Sequence, residues 1–396
     1  MTIVLLVGAR PNFIKAAPLW RAFSRIRSAR TWLVHTGQHQ HPDMCGVFFE
    51  ELGLPRPLRC GPPEDMLAQR PPTRAALAAY LEPLLRALQP DWLVVIGDVT
   101  STAAGAWAAY RTGVRLAHVE AGLRCGLMHM AEEQNRILTD HLAHALFATE
   151  SSAVANLLRE GIAPERIHFV GNVLIDALLQ TLPLAEKKSW PEVLRRYALP
   201  AQSILPDKAW TSGYALCTFH RAETVDNPVA LQHLVRLLQG IGQQMPLLFP
   251  VHPRTERRLR QWKLWASLQA CPSIALLRPV GYSDFVCLQK NARVVLTDSG
   301  GIQEETTVLG IPCLTLRPRT ERPITLQYGT NMLMDLQHPN AILAQLRQWW
   351  SAAAPFPTPP RPPLWDGQAA ERIAQILATL SLRERSTARS EYSALP

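Results

Sequence analysis

The sequence predicts an α/β protein made of two Rossmann-like halves, each with a doubly wound parallel sheet. Short apolar strands alternate with stretches of helical spacing along most of the chain, which is the pattern of βαβ units. The chain has 396 residues, more than a single hydrophobic core usually organises, so two domains are expected. The series of strands also begins a second time after a segment rich in proline, lysine and polar residues.

The predicted strands form two series. The first consists of TIVLLVG, TWLVHTG, DWLVVIGD, RLAHVEA, HALFATE and RIHFVG. Helical stretches such as Ala76 to Leu88 separate them. The second series lies between about residues 214 and 317 and consists of YALCTFH, PLLFPVH, IALLRPV, ARVVLTD and IPCLTLR. Apolar strands that alternate with helices are typical of parallel sheets buried on both faces.

Composition marks the connections between these parts. Residues 182–213 mix proline, lysine and polar residues, which places the interdomain connection and its flanking helix at about residues 173–213. The proline-rich stretch APFPTPPRPP precedes a helix that Asp366 is expected to cap. The predicted parts are an N-terminal domain over 1–172, a C-terminal domain over 173–364, a terminal helix over 365–380 that packs back toward the N-terminal domain, and a polar tail over 381–396.

Composition and charge favour a globular enzyme. Apolar residues make up 47% and charged residues 18% of the chain, which excludes a disordered protein. The net charge of +9 could indicate a nucleic-acid partner, but lysines and arginines are scattered and no nucleic-acid motif occurs. We interpret the excess as a solvated surface with a few anion-binding arginines, so phosphate esters of small molecules remain possible ligands and no nucleic-acid partner is predicted.

Cysteine usage and hydropathy predict a cytoplasmic protein with no membrane partner. The seven cysteines form no C-x-x-C pair, as expected of thiols in a reducing compartment. The N-terminal apolar stretch lacks a basic n-region, and no apolar run approaches about 18 residues. No metal is predicted, because two groups of histidines lack a convincing ligand pattern: His35 with His39 and His41, and His141 with His144.

The segment VVLTDSGGIQEETTVLG contains the most informative turn. An apolar run breaks at Ser299, Gly300 and Gly301 and then continues with helical spacing. Such a junction places free N–H groups at the ligand-binding edge of a sheet, and the glycines let an anion approach the backbone. The alternative is a well-capped helix with glycines for packing. Because neither G-x-G-x-x-G nor a Walker A motif occurs, no nicotinamide cofactor or P-loop hydrolysis is predicted, and the cofactor expectation is none.

Glutamates follow this turn closely. The pattern places Glu304 and Glu305 in the first helical turn, where they would favour the helix dipole but repel a diphosphate that they faced. One of them could instead accept hydrogen bonds from a ribose diol.

Charged residues also follow other predicted strands. Arg10 and Lys15 follow the first strand, and the planar guanidinium of Arg10 suits a diphosphate. Alternatively, Pro11 merely starts a helix and Lys15 is solvated. Asp98 and Glu120 end two apolar strands, where carboxylates must either face a cleft or form a structural pair.

A later helical stretch, MAEEQNRILTDHLAHALF, carries further acidic residues. Glu132 and Glu133 fall in its first turn, with Arg136 at i+4 and i+3. An ordinary helix salt bridge and catalysis are both open for these glutamates. The convergence of three acidic positions, at Asp98, Glu120 and Glu132, favours catalysis.

The second half carries basic residues at similar places. His220 and Arg221 follow its first strand, an arrangement suited to an anionic leaving group, although a structural histidine is the alternative. His252 and Arg254 repeat the pattern in PVHPRT.

A set of ordered motifs runs from the first strand to the last helix: GARPNFIK, HTGQH, GDVTST, HVEAGLR, EEQNR, HFVGNVLID, HRAETVDNP, PVHPRT, LTDSGGIQEE, GIPCLTLR, TERP and GTN. In this order they resemble the bacterial non-hydrolysing UDP-N-acetylglucosamine 2-epimerases. The resemblance implies a GT-B fold with an interdomain cleft, a UDP-sugar substrate and a homodimer. It implies reversible conversion of UDP-GlcNAc to UDP-ManNAc through elimination of UDP and re-addition to 2-acetamidoglucal, which would supply sugars for cell-surface polysaccharides.

The resemblance also implies roles for individual residues. Those that would surround the reacting sugar are Asp98, Glu120, Glu132 and His220. Those that would bind substrate are Arg10 and Lys15 (diphosphate and sugar side), Ser299, Gly300 and Gly301 (phosphate), Glu305 (ribose), Arg322 (cleft side of the nucleotide) and Phe285 (uracil region).

Three other functions stay open from the sequence. A hydrolysing 2-epimerase would release UDP and free ManNAc, and a GT-B glycosyltransferase would require an acceptor. A non-catalytic UDP-sugar-binding or regulatory protein would bind without turnover. The chain has Ala131 where the family usually has proline, and the loop 125–129 lacks an expected acidic residue, so the sugar's substituents are also open.

Overall fold

The computed structural model describes residues 1–38, 49–62, 72–199, 210, 212–351 and 360–393, with side chains described as far as residue 382. The chain divides into two compact units. Unit 1 comprises Met1–Ala177 and Pro363–Pro396, and unit 2 comprises Leu178–Pro362. Within the described ranges, none of the helices combines the length and apolarity needed to cross a membrane.

Unit 1 contains a seven-stranded sheet whose paired strands all run parallel. The strands are β1 (Thr2–Val7), β2 (Arg30–His35), β3 (Leu58–Arg59), β4 (Trp92–Ile96), β5 (Leu116–Ala121), β6 (Ala145–Ala148) and β7 (Ile167–Phe169). Their order is β3-β2-β1-β4-β5-β6-β7. The order reverses between β1 and β4, which is where ligands bind in doubly wound sheets.

Helices connect these strands and cover the sheet. They are α1 (Arg10–Ser24), α2 (Arg74–Leu88), α3 (Thr100–Thr112), α4 (Ala131–Leu142), α5 (Ser151–Arg159) and α6 (Val173–Ala185), which crosses into unit 2. The core lies between sheet and helices, where residues such as Val4, Leu93 and Leu81 are fully buried.

Unit 2 repeats the architecture with six parallel strands. They are β8 (Ala215–Thr218), β9 (Leu247–Pro250), β10 (Ile274–Leu277), β11 (Val294–Thr297), β12 (Cys313–Thr315) and β13 (Asn331–Leu333), in the order β10-β9-β8-β11-β12-β13. The helices are α7 (Trp190–Tyr197), α8 (Ala222–Val225), α9 (Pro228–Gly242), α10 (Pro253–Gln261), α11 (Trp265–Gln269), α12 (Tyr282–Lys290), α13 (Gly300–Leu309), α14 (Ile324–Tyr328) and α15 (Pro339–Ser351). The corresponding reversal lies between β8 and β11.

The predicted fold class is confirmed, and every strand named from the sequence is present. Two strands were missed, β3 and β13, which have two and three residues and lie at sheet edges. Both residues of β3 are exposed, so no apolar run marks it. Short edge strands of this kind depend on pairing with a neighbour that local sequence does not reveal.

The terminal helix α16 (Ala369–Ser393) belongs to unit 1 and packs against α1. It continues to Ser393, whereas the sequence predicts a polar tail from Ser381. The predicted cap, Asp366, accepts a hydrogen bond from Gln368 N–H (3.1 Å) and pairs with Arg372. The first helical N–H groups bond instead to Asp176 of α6, at 3.2 Å from Ala369 and 2.7 Å from Ala370. A cap from so distant a residue leaves no local signal.

Burial raises the pKa of Asp176 to about 6, even though these two N–H groups favour its charged form. Between about pH 4 and pH 6 the folded protein therefore binds more protons than the unfolded chain, and this carboxyl's contribution to stability falls as pH rises. We expect the free energy of unfolding of wild type relative to Asp176→Asn to drop by about 2 kcal/mol from pH 4 to pH 7. Urea unfolding at several pH values measures this difference. Parallel pH profiles for the two proteins would contradict it.

Candidate active site

The turn after β1 in unit 1 is fixed by Asn12 of α1. Its Oδ1 accepts hydrogen bonds from Gly8 and Ala9 N–H, both at 3.2 Å, and its Nδ2 donates to Ile96 O at the end of β4 (3.0 Å). A Cβ on Gly8 would lie only 2.0 Å from Ser101 Oγ, so the close approach of this side chain requires glycine. The bond to β4 therefore joins the two strands between which the strand order reverses. Arg10, partly exposed, begins α1 here.

Lys15 and Glu120 form a buried ion pair at this edge. The two residues are 6% and 3% exposed. Glu120 has φ +72° and lies where the pairing of β5 with β6 shifts register between Val119 and Ala121. Positive φ is strained for a glutamate and is found most often where function requires a particular side-chain direction. A Cβ on Gly97 would lie 3.8 Å from Glu120 Oε2, so this carboxylate lies beside the residue that precedes Asp98.

Arg136 of α4 joins Asp98 to Glu133. Its guanidinium pairs with the Asp98 carboxylate and lies 2.7 Å from Glu133 Oε2. Glu133 also accepts hydrogen bonds from Cys125 and Gly126 N–H, at 3.0 and 2.8 Å. Burial alone would raise the pKa of Glu133, but Arg136 and these N–H groups hold it below its ordinary value. Glu133 therefore forms a helix salt bridge with Arg136, which was one of the two possibilities for these glutamates. Glu132 lies partly exposed in the first turn of α4.

In unit 2, Asp298 organises the turn after β8. It accepts hydrogen bonds from the N–H groups of His220 (3.0 Å) and Arg221 (2.9 Å), and its Oδ1 lies 3.3 Å from His220 Nδ1. Complete burial raises the pKa of Asp298 in spite of these donors. The His220 side chain is 38% exposed, and its ring centroid lies 5.5 Å from that of His252. The buried carboxylate thus orients a histidine that other molecules can reach.

The turn of Ser299, Gly300 and Gly301, which the sequence predicts to bind an anion, begins α13. Ser299 is the N-cap, and its side chain makes no capping hydrogen bond to the described backbone, so its hydroxyl is not needed to start the helix. Gly301 follows at the second helical position. A Cβ on Gly300 would lie 2.9 Å from Glu321 Oε1 and 3.0 Å from Arg322 Cζ. Gly300 therefore lets the TERP segment pack directly against the helix start.

The positions of Glu304 and Glu305 differ from the prediction. Because α13 begins at Gly300, both lie beyond its first turn. Glu304 Oε1 lies 3.0 Å from Arg322 Nε in a buried ion pair, and Glu305 Oε1 accepts a hydrogen bond from Tyr282 OH at 2.8 Å. The predicted repulsion of a diphosphate by a first-turn glutamate therefore does not arise.

Residues 21–378 match the sequence profile of the UDP-N-acetylglucosamine 2-epimerase family. The chain belongs to this family. A UDP-N-acetylglucosamine 2-epimerase of Methanocaldococcus jannaschii is 38% identical over 389 residues, which cover 95% of this chain and 99% of that protein. A UDP-2,3-diacetamido-2,3-dideoxy-D-glucuronate 2-epimerase of Pseudomonas aeruginosa is 35% identical over 342 residues, covering 84% and 88%. The family thus includes an archaeal relative beside bacterial ones.

A solved structure shares the fold. The crystal structure of Methanocaldococcus jannaschii UDP-GlcNAc 2-epimerase in complex with UDP-GlcNAc and UDP has a TM-score of 0.81 to this chain at 35% identity. The match covers 96% of this chain and 100% of the other. It confirms the GT-B-like class of two parallel-sheet α/β domains.

The structure places further residues at these sites that were not selected from the sequence. Asp298 follows β11 directly, and Asp98 follows β4 after Gly97, so the same strand-end argument could have found Asp298. Tyr282, the partner of Glu305, lies one turn before Phe285 on α12, and Phe285 is 6% exposed. Glu321 accepts from Arg221 (3.0 Å) and Arg317 (2.8 Å). These partners come from separate segments, which only the fold brings together.

Three of the histidines considered as metal ligands are described, and each contacts other residues of its own unit. His35 packs against Phe13 with ring centroids 5.3 Å apart, and His144 Nδ1 accepts a hydrogen bond from Leu116 N–H at 3.1 Å. His141 Nδ1 lies 2.9 Å from Ile137 O within its own helix. His39 and His41 lie outside the described residues.

The Lys15–Glu120 pair makes a stability prediction. Lys15→Met removes the cation beside a buried carboxylate, and we expect a loss of about 3–5 kcal/mol in the free energy of unfolding. Lys15→Met combined with Glu120→Gln should be more stable than Lys15→Met alone, because no buried charge then lacks its cation. Lys290→Met breaks the exposed pair with Glu186 and serves as control, with an expected loss of about 0–1 kcal/mol. Denaturant unfolding measures all three variants, and a double variant no more stable than Lys15→Met would refute the coupling.

Proposed function

We propose that this protein is a non-hydrolysing epimerase that interconverts UDP-GlcNAc and UDP-ManNAc by inverting C2. The observation that carries the proposal is the placement of two carboxylates at the carboxyl edge of the unit 1 sheet. Asp98 pairs with Arg136, Glu120 pairs with Lys15, and Glu120 Oε2 lies beside Gly97, the residue before Asp98. The M. jannaschii relative, 38% identical over 95% of this chain, is named a UDP-N-acetylglucosamine 2-epimerase, and a crystal structure of the M. jannaschii enzyme is a complex with UDP-GlcNAc and UDP. These comparisons support the substrate.

The chemistry requires an indirect route to C2. This carbon is not next to a carbonyl, so its proton is not acidic enough for direct removal. Elimination solves the problem: the C1–O bond breaks, the electron pair leaves with UDP, and a carboxylate takes the C2 proton to give 2-acetamidoglucal. Re-addition of UDP at C1, with a proton delivered to the other face of C2, yields the epimer. Carboxylates on two sides of the ring are therefore needed, and Asp98, Glu120 and Glu132 are our candidates.

Unit 2 is proposed to hold the nucleotide. The N–H groups at the start of α13, with Ser299, Gly300 and Gly301, suit a diphosphate whose charge grows as the C1–O bond breaks. Arg10 and His220 would contribute further donors to this leaving group. Arg322 lies against Gly300 and would stabilise the same charge.

The remaining substrate contacts are proposed by position. Glu305 is held by Tyr282 and would accept hydrogen bonds from the ribose hydroxyls. Phe285 lies one turn further along the same helix and would adjoin uracil. Lys15 would contact the sugar side through its place beside Glu120.

Location and assembly are expectations of the same kind. The described cysteines are free thiols, which supports a reducing cytoplasm.

A homodimer is expected, and exposed aromatic residues on α2 and α3 offer an apolar surface for a second copy, with Tyr80 40%, Trp107 41% and Tyr110 67% exposed. Light scattering of the purified protein measures this. A role in supplying ManNAc-type sugars to cell-surface polysaccharides would follow from the product.

The decisive experiment is incubation with UDP-GlcNAc in D₂O followed by proton NMR. We expect UDP-ManNAc to appear up to a fixed equilibrium, with deuterium at C2 and no accumulation of free ManNAc. Free ManNAc with an equal amount of UDP would mean the hydrolysing reaction. No change in the spectrum, with UDP-GlcNAc bound, would mean a different UDP-sugar substrate, an acceptor-dependent transferase or a binding protein.

The carboxylates make a kinetic prediction. Asp98→Asn and Glu120→Gln should each lower kcat by about 10²–10⁴-fold, because an amide cannot take the C2 proton. Glu165→Gln changes an exposed carboxylate of unit 1 and should leave kcat unaltered. Steady-state rates of UDP-ManNAc formation measure the three variants. Activity within tenfold of wild type for both site variants would remove these residues from catalysis.

The turn of α13 makes a binding prediction. Alanine at Gly300 would bring its Cβ within 3.0 Å of Arg322 Cζ, displacing the TERP segment, and we expect UDP to bind about tenfold more weakly. Gly240→Ala is the matched control in unit 2, because its Cβ would meet only a flexible leucine terminus at 3.3 Å. Isothermal titration with UDP compares the two. Equal affinities would show that the turn is a packing feature only.

A further inference from the structure

His118 and Asp140 are completely buried and contact the backbone next to the candidate catalytic carboxylates. His118 belongs to β5, two residues before Glu120, and Asp140 belongs to α4. His118 Nδ1 lies 2.6 Å from Asp140 Oδ1, and His118 Nε2 lies 2.8 Å from Gly97 O. A completely buried imidazole with short contacts at both ring nitrogens has one orientation only.

The two contacts decide which nitrogen carries a proton. A carbonyl oxygen only accepts hydrogen bonds, so His118 Nε2 must donate to Gly97 O. The other nitrogen faces a carboxylate, which accepts as well, unless Asp140 is protonated. Burial alone would raise the pKa of Asp140, but the charges of His118 and Arg124 hold it below its ordinary value. The His118 ring is therefore held between two oxygens, Asp140 Oδ1 on one side and the Gly97 carbonyl on the other.

Asp140 also binds the backbone on the far side of Glu120. Its Oδ2 accepts a hydrogen bond from Gly122 N–H at 3.1 Å and lies 2.7 Å from Arg124 Nη2. Arg124 in turn makes two contacts of 2.7 Å with Glu160. One carboxylate thus contacts the residue two before Glu120, through its side chain, and the residue two after it, through its N–H. Between these contacts lies the strained conformation of Glu120, with φ +72°.

The Gly97 carbonyl links the same array to Asp98. Gly97 has φ +66° and its N–H donates to Val119 O at 2.9 Å, so the chain turns sharply just before Asp98. The bond from His118 fixes the peptide plane that joins Gly97 to Asp98. A change in that plane would rotate the Asp98 backbone and move its carboxylate away from Arg136.

We propose that His118 and Asp140 are positioning residues for epimerisation, which together hold Asp98 and Glu120 in the relative geometry that proton transfer at C2 requires. Neither touches substrate in this proposal. His118 acts through the Gly97 carbonyl, and Asp140 acts through the His118 side chain before Glu120 and the Gly122 N–H after it. The inference rests on the proposed function of the two carboxylates. A role in stability alone would leave kcat unchanged in variants that stay folded.

Two amide substitutions of His118 distinguish the effect of its bond to Asp140 from the effect of its bond to Gly97 O. Asparagine can replace Nδ1 and keep the bond to Asp140 but cannot reach Gly97, whereas glutamine can place its amide where Nε2 lies and donate to Gly97 O. We expect His118→Asn to lower kcat by about 100-fold or more, since small misplacements of reacting groups have effects of this size. KM for UDP-GlcNAc and Kd for UDP should stay within about threefold of wild type. His118→Gln should retain at least tenfold more kcat than His118→Asn.

Asp140→Asn completes the set. Its amide can donate to His118 Nδ1 while its oxygen accepts from Gly122 N–H, so the bond to Gly97 survives and kcat should stay within about tenfold of wild type. Unaltered kcat in a folded His118→Asn variant would overturn the proposal. So would equal losses of kcat in the two His118 variants, or a loss of UDP binding as large as the loss of kcat.

A crystal structure of His118→Asn separates this proposal from the proposed function. If wild type shows no epimerisation in the NMR assay, the proposed function fails, and the structure alone decides the positioning. We expect the Gly97–Asp98 peptide to rotate and Glu120 to leave positive φ. An unchanged Glu120 and an intact contact between Asp98 and Arg136 would overturn the inference. If His118→Asn does not fold, the same comparison is made with Asp140→Leu, which removes the contacts on both sides of Glu120.

Discussion

Charge at the carboxyl edges of two apolar sheets is the constraint on which both candidate sites depend. The strands that lead to these edges are almost completely buried, so a charged group there loses its hydration and must have a partner. Lys15 pairs with Glu120 in unit 1, and Arg322 pairs with Glu304 in unit 2. Each pairing fixes the direction of a side chain. Preorganised charge of this kind is what a reaction with a developing diphosphate charge requires.

The core of the fold could be predicted because its physical signal is local. Central strands such as β4 and β11 are continuous apolar runs, and their alternation with helical spacing specifies a parallel sheet. The edges could not be predicted, since β3 and β13 are short and gain their structure from a neighbouring strand. The start of α16 was predicted with Asp366 as its cap, but the first helical N–H groups bond to Asp176, almost two hundred residues earlier in the chain. Tertiary hydrogen bonds of this kind leave no mark at the helix itself.

The same distinction holds for the site. Asp98, Glu120 and His220 could be selected from sequence because each lies at the end of an apolar strand or just after it, and the resemblance to epimerases implied their roles. Their partners could not be derived in that way, since Lys15 and Glu120 are 105 residues apart in the chain. The assignment of Glu304 and Glu305 to the first helical turn was wrong, because α13 begins at Gly300, directly after Ser299, and both glutamates lie beyond that turn. Both Glu304 and Glu305 are buried, and their partners, Arg322 and Tyr282, come from other segments of unit 2.

The return of α16 to unit 1 has a consequence for synthesis of the chain. Trp92, 2% exposed, donates a hydrogen bond to Ser381 Oγ at 2.9 Å, so a side chain of the central sheet is covered by nearly the last described residues. A ribosome therefore finishes unit 2 while unit 1 still lacks one of its helices. The N-terminal sheet keeps that surface uncovered until α16 has been synthesised and can pack against it, and any truncation before residue 363 leaves unit 1, rather than unit 2, incomplete.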